Sequence, residues 1–252
     1  MTRIIMHGCN GRMGKAIAEL AAQDQDAEIV AGVDIAENDS FSFPVYTSLE
    51  DCRAEADVII DFSTAGAVDA LLAFAAARSL PVVLCTTGLS EEQLERLFEI
   101  SQKIAILRSA NMSLGVNLLM KLLKDAAKVL APAGFDMEIV EKHHKTKLDA
   151  PSGTALALAD SINEAMDISY HYVYDRTDRR AMRDSAEIGI SAVRGGNIVG
   201  EHDVIFAGQD EVITFRHTAY SRAVFAKGAL EAAKFLAGKP AGMYNMADVI
   251  NG

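Results

Sequence analysis

The sequence predicts an α/β protein with two domains, the first built on a parallel sheet and the second on a mixed sheet. In the N-terminal part of the chain, short apolar segments alternate with helical segments, the pattern of repeated βαβ units. After Ser109 the alternation stops, and several strand-like segments follow one another directly. Strands clustered in this way favour antiparallel or mixed pairing. With 252 residues, 50% of them apolar, the chain can form one large domain or two small ones.

Apolar runs bounded by turns place the elements in order. In the first region, strands are predicted at 3–7, 28–34, 58–62, 82–86 and 104–107, and helices at 15–22, 65–78 and 91–102. In the second region, helices are predicted at 116–130, 154–166 and 223–236, and strands at 136–141, 188–193, 200–207 and 211–218.

Charge and cysteine content exclude several classes of protein. The net charge of −11 argues against a nucleic-acid partner, because such proteins usually carry a broad basic surface. The three cysteines are widely spaced, so neither a disulfide framework nor a metal site is expected. The N-terminus does not read as a signal peptide, and no apolar run reaches the length of a membrane span. We therefore expect a cytoplasmic protein without a membrane partner.

Glycines at positions 8, 11 and 14 separate the first strand from the first helix. Glycine permits a tight turn and a close approach of the backbone to a pyrophosphate, and the following helix directs free N–H groups toward the phosphates. Arg12 and Lys15 can add positive charge. This arrangement predicts a dinucleotide site.

Asp34 lies 20 residues after Gly14, at the end of the second predicted strand. In dinucleotide sites, an acid at this position accepts hydrogen bonds from the ribose hydroxyls. A 2′-phosphate would meet the like charge of Asp34, and the next residue is Ile35 rather than an arginine. The sequence therefore predicts NADH as the preferred cofactor over NADPH.

Small polar residues follow three later strands, in the segments DFST (61–64), CTTG (85–88) and SANMSLG (109–115). Ligands in open α/β sheets bind outside the carboxyl ends of the strands, so these segments can line a nicotinamide. Cys85 also leaves open a thiol-dependent semialdehyde dehydrogenase, in which the thiolate would be the nucleophile. A buried, inert cysteine is the simpler interpretation.

The segment EKHHKTKLDAPSGTAL (141–156) gathers two histidines and three lysines directly before a helix. Pro151 fixes the backbone, Ser152 or Thr154 is the expected N-cap, and the amides there form an anion site. In an extended chain, alternate side chains share a face, so His143, Lys145 and Lys147 would face one way unless a turn intervenes. Fixed positive charge beside a histidine, with its ordinary pKa of roughly 6.5, suits a reductase acting on a carboxylated substrate.

Taken together, GCNGRMG, CTTG, SANMSLG, EKHHKTKLDAPSGTAL and GGNIVGEHDVIF resemble, in the same order along the chain, the 4-hydroxy-tetrahydrodipicolinate reductase family. The resemblance implies an N-terminal Rossmann domain (1–113, completed by 222–252) for the dinucleotide. It also implies an inserted α+β domain (114–221) with a mixed sheet for substrate binding and for assembly into a homotetramer.

The resemblance further implies NAD(P)H-dependent reduction of (S)-4-hydroxy-2,3,4,5-tetrahydrodipicolinate, a cyclic dicarboxylate of the diaminopimelate route to lysine, with hydride added at ring C4. His143 and Lys147 match the catalytic positions. The substrate-binding positions are His144, Ser152, Gly153, Thr154 and Arg222. The cofactor-binding positions are Gly8, Cys9, Asn10, Gly11, Arg12, Met13, Asp34, Cys85, Thr86, Thr87, Ser109, Ala110, Asn111 and Met112.

A function of another class stays open, namely a dinucleotide-sensing Rossmann protein without turnover. The histidine and lysine cluster argues against it, because a sensor needs no proton donor. His7 and Cys9 flank the first glycine where small residues are common in the family. His7 ends the first strand, which places it near a bound pyrophosphate, and we expect it to serve packing rather than chemistry.

Overall fold

A computed structural model describes residues 1–177 and 180–252. The chain divides into two compact units, the first formed by Met1–Leu114 and Ala223–Gly252 and the second by Gly115–Arg222. Each unit is described by itself below.

The N-terminal segment supplies most of the first unit. Its strands are β1 (Thr2–His7), β2 (Ala27–Val33), β3 (Val45–Tyr46), β4 (Val58–Asp61), β5 (Val82–Leu84) and β6 (Ala105–Arg108). Its helices are α1 (Arg12–Ala21), α2 (Val68–Arg78), preceded by a 3-10 turn at Ala65–Ala67, and α3 (Glu91–Ser101).

The second unit and the returning C-terminal segment follow. The second unit contains the helices α4 (Leu114–Leu130) and α5 (Gly153–Asn163) and the strands β7 (Asp136–His143), β8 (His171–Tyr174), β9 (Glu187–Arg194), β10 (Gly200–Ala207) and β11 (Val212–Ala219). The C-terminal segment adds α6 (Ala223–Leu236), β12 (Gly242–Tyr244) and α7 (Met246–Asn251) to the first unit.

The sheet of the first unit is parallel at every pairing between its described strands, in the order β12-β6-β5-β4-β1-β2-β3. His7, the last residue of β1, is in register with Val33 of β2 and Asp61 of β4. The carboxyl ends of these three strands therefore lie side by side, at the edge where open α/β sheets bind ligands.

Both faces of this sheet are covered by helices, as a parallel sheet requires. Ile4 and Met6 of β1 pack into a core with α1 and α6, whereas Ile5 packs with α2 and α3. The alternation follows from the two-residue period of a strand. Gly228 of α6 allows the closest approach, since a Cβ there would lie 1.7 Å from the Met112 carbonyl oxygen.

The second unit has a mixed sheet in the order β11-β10-β7-β9-β8. β7 runs antiparallel to β10 and parallel to β9. Met137 and Ile139 of β7 pack against α4 and α5 in the core of the unit. Glu141 and His143 continue the same alternation, so the strand carries a carboxylate and an imidazole in line with its two core residues.

The α/β class and the two kinds of sheet are confirmed, and the differences lie at element ends. β7 continues to His143, two residues beyond the prediction, and α5 ends at Asn163. The short strands β3, β8 and β12 and the helix α7 were not predicted. The three strands contain few buried residues, unlike the comparably short β4, β5 and β6, so they lack the apolar run that marks a buried strand. In residues 1–177 and 180–252, no helix combines the length and the apolar character that a bilayer span needs.

Candidate active site

The glycine turn connects β1 to α1 as the spacing predicts. Gly8 has a φ of +82°, and a Cβ at this position would lie 2.6 Å from the Phe62 carbonyl oxygen. A Cβ at Gly14 would lie 2.4 Å from the Gly8 carbonyl oxygen. The first glycine is thus required by conformation and space, and the third by the close packing of α1 on the turn. Gly11 is the N-cap of α1 and offers no side chain to the helix N–H groups.

Asp34 follows β2 directly and is held by backbone amides. Its Oδ2 accepts a hydrogen bond from the Asn10 N–H at 2.8 Å, and its Oδ1 accepts one from the Ile35 N–H at 2.8 Å. Asn10 also donates through Nδ2 to the Ala36 carbonyl oxygen at 2.8 Å. These contacts join the glycine turn to the loop after β2 and fix the position of the carboxylate.

A cavity of about 710 Å³ opens at this edge of the first unit. Its lining includes Gly8, Asn10, Gly11, Asp34 and Ile35. Among the described residues that line it, none is a lysine or an arginine, and Glu50 adds a second carboxylate. The cavity joins the glycine turn to Asp34, as a dinucleotide site requires.

Several predicted cofactor positions have side chains that serve the core. Cys9 is fully buried against Gly32, and its thiol pKa is raised to about 11 by burial and by the nearby Asp34. Met112 packs in the core beside α6. Asn111 is buried, and its Oδ1 accepts from the Ser113 N–H at 2.8 Å. At Cys9 and Met112, a cofactor contact would use the backbone.

The remaining predicted cofactor positions are more open. Arg12, Thr87 and Ala110 are exposed, and Met13 and Ser109 are half-buried.

A buried polar cluster lies where β1 and β4 end. Asp61 is fully buried, and its Oδ1 lies 2.8 Å from His7 Nδ1. Its Oδ2 accepts a hydrogen bond from the Thr86 hydroxyl at 2.6 Å. The His7 ring thus makes a polar contact and lines the cavity as well as packing at the end of β1.

Burial and the nearby Asp61 raise the pKa of the Cys85 thiol. A thiol in this environment is protonated at neutral pH, whereas a catalytic cysteine needs a lowered pKa. This observation counts against the thiol-dependent dehydrogenase.

The central group of the second unit is Glu141, which is fully buried on β7. Both of its oxygens accept hydrogen bonds from the Arg194 guanidinium, each at 2.7 Å. Oε2 also lies 2.7 Å from His143 Nδ1, and Oε1 accepts from the Ser152 N–H at 2.9 Å. Because an ionised carboxylate only accepts, the proton of this contact lies on His143 Nδ1, and Nε2 is left for a ligand.

Electrostatics keep Glu141 ionised. Burial raises its pKa, but the hydrogen bonds from Arg194, His143 and the Ser152 amide outweigh burial, so the pKa is below its ordinary value. Arg194 shows the reciprocal effect, and its pKa is raised chiefly by the hydrogen bond to Glu141. The pair resembles other buried bidentate arginine–carboxylate contacts, which combine charge with fixed geometry.

Ser152 connects this group to α5. It is the N-cap of the helix, and its Oγ accepts from the Ala155 N–H at 3.1 Å. The same oxygen lies 3.0 Å from Nε2 of the buried His202, whose ring packs edge-on to that of His143 at 5.2 Å. Burial, followed by the charge of His143, lowers the pKa of His202 to about 4, so this histidine is neutral at pH 7.

The basic segment after β7 turns instead of staying extended. The Lys147 N–H donates to the His144 carbonyl oxygen at 3.1 Å, and the turn at Lys145 and Thr146 breaks the alternation expected for His143, Lys145 and Lys147. His144 Nδ1 lies 2.8 Å from the Thr146 hydroxyl. Lys147 Nζ lies 2.8 Å from Asp149 Oδ1, and this contact is the main cause of the lowered pKa of Asp149.

The other predicted substrate residues lie at two places. Gly153 and Thr154 form the first turn of α5, so Ser152 rather than Thr154 is the N-cap. A cis peptide bond joins Ala150 to Pro151 just before it. Arg222 is exposed beyond the end of β11 and is the last residue of the second unit.

Sequence reasoning missed Asp61, Arg194 and His202 as polar partners. Arg194 directly precedes the segment GGNIVGEHDVIF and His202 lies within it, so a signal existed near them. The glycine of that segment at position 200 also has a role, because a Cβ there would lie 3.1 Å from His143 Nε2. Within the described part of the chain, no group of three or more His, Cys, Asp or Glu side chains is placed to hold a metal ion.

Two family models cover nearly the whole chain. One, described as "Dihydrodipicolinate reductase, N-terminus", matches residues 2–112, and the other, "Dihydrodipicolinate reductase, C-terminus", matches residues 115–250. A 4-hydroxy-tetrahydrodipicolinate reductase of Caldanaerobacter subterraneus is 56% identical over 99% of this chain and 98% of its own length. One from Clostridium tetani is 49% identical over 100% and 98%.

The fold of this chain is also similar to that of solved structures. A dipicolinate-bound dihydrodipicolinate reductase from a Paenisporosarcina species superposes with a TM-score of 0.81 at 26% identity, covering 97% of each chain. A probable dehydrogenase from Thermotoga maritima, at 14% identity and a TM-score of 0.64 over 98% of this chain and 92% of its own, shares the fold alone. The chain, with its glycine turn and the Glu141–His143 pair before α5, belongs to the dihydrodipicolinate reductase family.

Proposed function

We propose that the protein reduces (S)-4-hydroxy-2,3,4,5-tetrahydrodipicolinate to tetrahydrodipicolinate with NAD(P)H, in the diaminopimelate route to lysine. The observation that carries the proposal is the buried contact between Glu141 and His143 beside the N-terminus of α5. It places an oriented proton donor next to the N-terminus of a helix, in a chain whose relatives carry this activity in their names. A sensing protein without turnover would have no use for that contact.

The residues of the first unit fit a dinucleotide. Gly8 and Gly14 provide a turn that a Cβ would fill, the uncapped start of α1 suits the pyrophosphate, and Asp34 suits a ribose. When bound, the reduced nicotinamide supplies the hydride. In this proposal, the first unit is the dinucleotide-binding domain, and the segments at 85–87 and 109–112 contribute mainly backbone groups and small side chains.

The second unit is the proposed substrate-binding domain. Its anion site is the first turn of α5, where the positive end of the helix attracts a carboxylate. Gly153 and Thr154 are the proposed substrate positions in this turn. His144 and Lys147 add donors from the preceding turn, and Lys147 exchanges its contact with Asp149 for the substrate. Arg222 is the remaining proposed substrate residue.

His143 is the proposed proton donor through Nε2. Hydride addition at ring C4 leaves electron density on the substrate that must be protonated, and a positioned acid typically contributes about 10²–10⁴-fold in rate. Glu141 is a positioning residue, because it accepts from Nδ1–H and so fixes the ring. The proton that is donated is a second one, carried on Nε2, so the donor is the doubly protonated ring.

The test is oxidation of NADH, followed by absorbance, with freshly generated product of dihydrodipicolinate synthase. We expect turnover by the natural protein. His143→Gln and Lys147→Ala should each lower kcat/KM sharply while NADH still binds. NADH binding without turnover of the natural protein would favour the sensing function, and near-normal turnover of both variants would refute the catalytic assignment.

We further propose that NADH is preferred over NADPH. Asp34 and Glu50 line the cavity, Ile35 is almost fully exposed beside it, and no lysine or arginine lines it among the described residues. A 2′-phosphate would therefore meet like charge. A kcat/KM for NADPH equal to or above that for NADH would overturn this proposal, and Ile35→Arg should raise the value for NADPH.

The protein is proposed to be cytoplasmic, because the reduction it is proposed to catalyse belongs to amino-acid biosynthesis. It is also proposed to be a homotetramer, as the resemblance to the family implies. A monomer mass for the natural protein in sedimentation equilibrium would contradict the proposed assembly.

A further inference from the structure

We propose that His7 binds the ribose–pyrophosphate part of the dinucleotide through Nε2, and that Asp61 and Thr86 position it. The inference rests on the proposed function, because it names a further contact for the same cofactor. His7 stands where small residues are common in the family, and the sequence led us to expect packing rather than chemistry from it.

The cluster is polar although it is buried. His7, Asp61 and Thr86 are 7%, 0% and 6% exposed. Asp61 accepts from the Thr86 hydroxyl at 2.6 Å and from the Ser63 N–H at 3.2 Å, and its Oδ1 lies 2.8 Å from His7 Nδ1. Taking a carboxylate out of water is costly, so an apolar residue pair would serve packing alone at least as well.

Geometry determines which nitrogen is available. A carboxylate accepts hydrogen bonds, so the Asp61 contact fixes the proton of His7 on Nδ1. Nε2 is then the nitrogen left for a ligand, and the ring is held against rotation. His7 lines the same cavity as Gly8, Asn10 and Asp34, the groups proposed to hold the dinucleotide.

The location agrees with an oxygen-rich ligand. His7 ends β1 directly before the glycine turn, and Asp61 ends β4 in register with it. At the carboxyl ends of adjacent parallel strands, a Rossmann-type sheet holds the ribose and the pyrophosphate. Thr86 belongs to the loop after β5, so Asp61 contacts both His7, at the start of the glycine turn, and this loop.

Two substitutions separate binding from packing. His7→Asn places an amide nitrogen near the position of Nδ1, which keeps the contact with Asp61 but removes the distal nitrogen. His7→Gln places an amide nitrogen near the position of Nε2 and gives up the contact with Asp61. The probe is ADP-ribose, measured by calorimetry on the full chain, because it contains the ribose–pyrophosphate without the nicotinamide.

We expect His7→Asn to weaken ADP-ribose and NADH binding by about tenfold, the usual loss for one hydrogen bond to a polar ligand. His7→Gln should lose no more than about threefold. In His7→Asn, the KM for NADH should change more than kcat. His171→Asn, at an exposed histidine of the second unit, is the matched control and should leave ADP-ribose affinity unchanged.

Wild-type affinity in His7→Asn would overturn the inference, and so would equal losses in both variants, since the distal nitrogen would then be irrelevant. If His7→Asn fails to fold, ¹⁵N spectra of the natural protein decide: a His7 Nε2 signal that does not shift with ADP-ribose refutes the contact. ADP-ribose binding does not depend on turnover, so a natural protein that binds it but reduces nothing refutes the reaction and leaves this inference standing.

Discussion

The two units build their sites in different ways. In the first unit, the turn at Gly8 and Gly14 depends on the absence of a Cβ, because a Cβ would collide with the Phe62 or the Gly8 carbonyl oxygen. In the second unit, the site depends on the buried carboxylate of Glu141, which forms hydrogen bonds with Arg194, His143 and the Ser152 amide. The first arrangement is set by backbone conformation and the second by charge.

The difference teaches how each site should fail. A backbone site loses space when a side chain is added, and its failure should be independent of pH. A network of buried charges is destabilised when one member is removed, because the remaining ion stays buried without a partner of opposite charge. The three predictions below test this contrast, from the largest expected effect to the smallest.

Glu141→Gln should have the largest effect on stability. It leaves the Arg194 guanidinium without its carboxylate, and breaking a buried ion pair by removing one partner costs about 3–5 kcal/mol. It also releases His143 Nδ1, so kcat should fall. Unfolding by guanidinium, followed by circular dichroism, measures the free energy of unfolding.

The double variant Glu141→Gln/Arg194→Met is the control for that experiment. Removing both charges should recover much of the stability but not the activity, because His143 still lacks its positioning carboxylate. A Glu141→Gln protein as stable as the natural one would show that the network carries little energy.

His202→Gln should change how stability depends on pH. The folded pKa of His202 is about 4, against an ordinary 6.5. Below pH 6.5, His202 binds a proton in the unfolded chain but not in the folded state. The contribution of the neutral His202 to the free energy of unfolding is therefore fully present above pH 6.5 and is lost as the pH falls toward 4. The loss amounts to about 3 kcal/mol.

Glutamine at 202 can keep the contact with Ser152 but cannot be protonated, so the variant should lose less stability than the natural protein between pH 7 and 4. Thermal unfolding across this range gives the difference. Parallel curves for the two proteins would mean that His202 titrates normally in the folded state.

Gly8→Ala should have the smallest effect on stability and no pH dependence. Alanine at a φ of +82° costs about 1–2 kcal/mol, and its Cβ crowds the Phe62 carbonyl oxygen. Dinucleotide affinity should fall as well, measured by calorimetry with NADH. Gly238→Ala is the matched control, because its φ is +79° and no atom lies within 4 Å of the added Cβ. Equal NADH affinity in both variants would contradict a role for Gly8 at the cofactor.

The sequence predicted the parts that are encoded locally. The alternation of apolar and helical segments gave the parallel sheet, and its interruption gave the mixed sheet. The glycine spacing and Asp34 were sufficient to identify the turn, because strand, turn, helix and acid are consecutive in the chain. The residue types that precede a helix narrowed the N-cap of α5 to Ser152 or Thr154, and the structure shows Ser152.

The tertiary structure decided the partners. Arg194 and His202 are 53 and 61 residues from Glu141 along the chain, and Asp61 is 54 residues from His7. Only the pairing of β7 with β9 and β10, and of β1 with β4, brings them into contact. A hydrogen bond between distant residues leaves no periodic trace, because it constrains two positions and not a segment. Sequence alone thus determined which chemistry is available, and the strand register decided which groups are held, which stay neutral and which nitrogen of each histidine remains for a ligand.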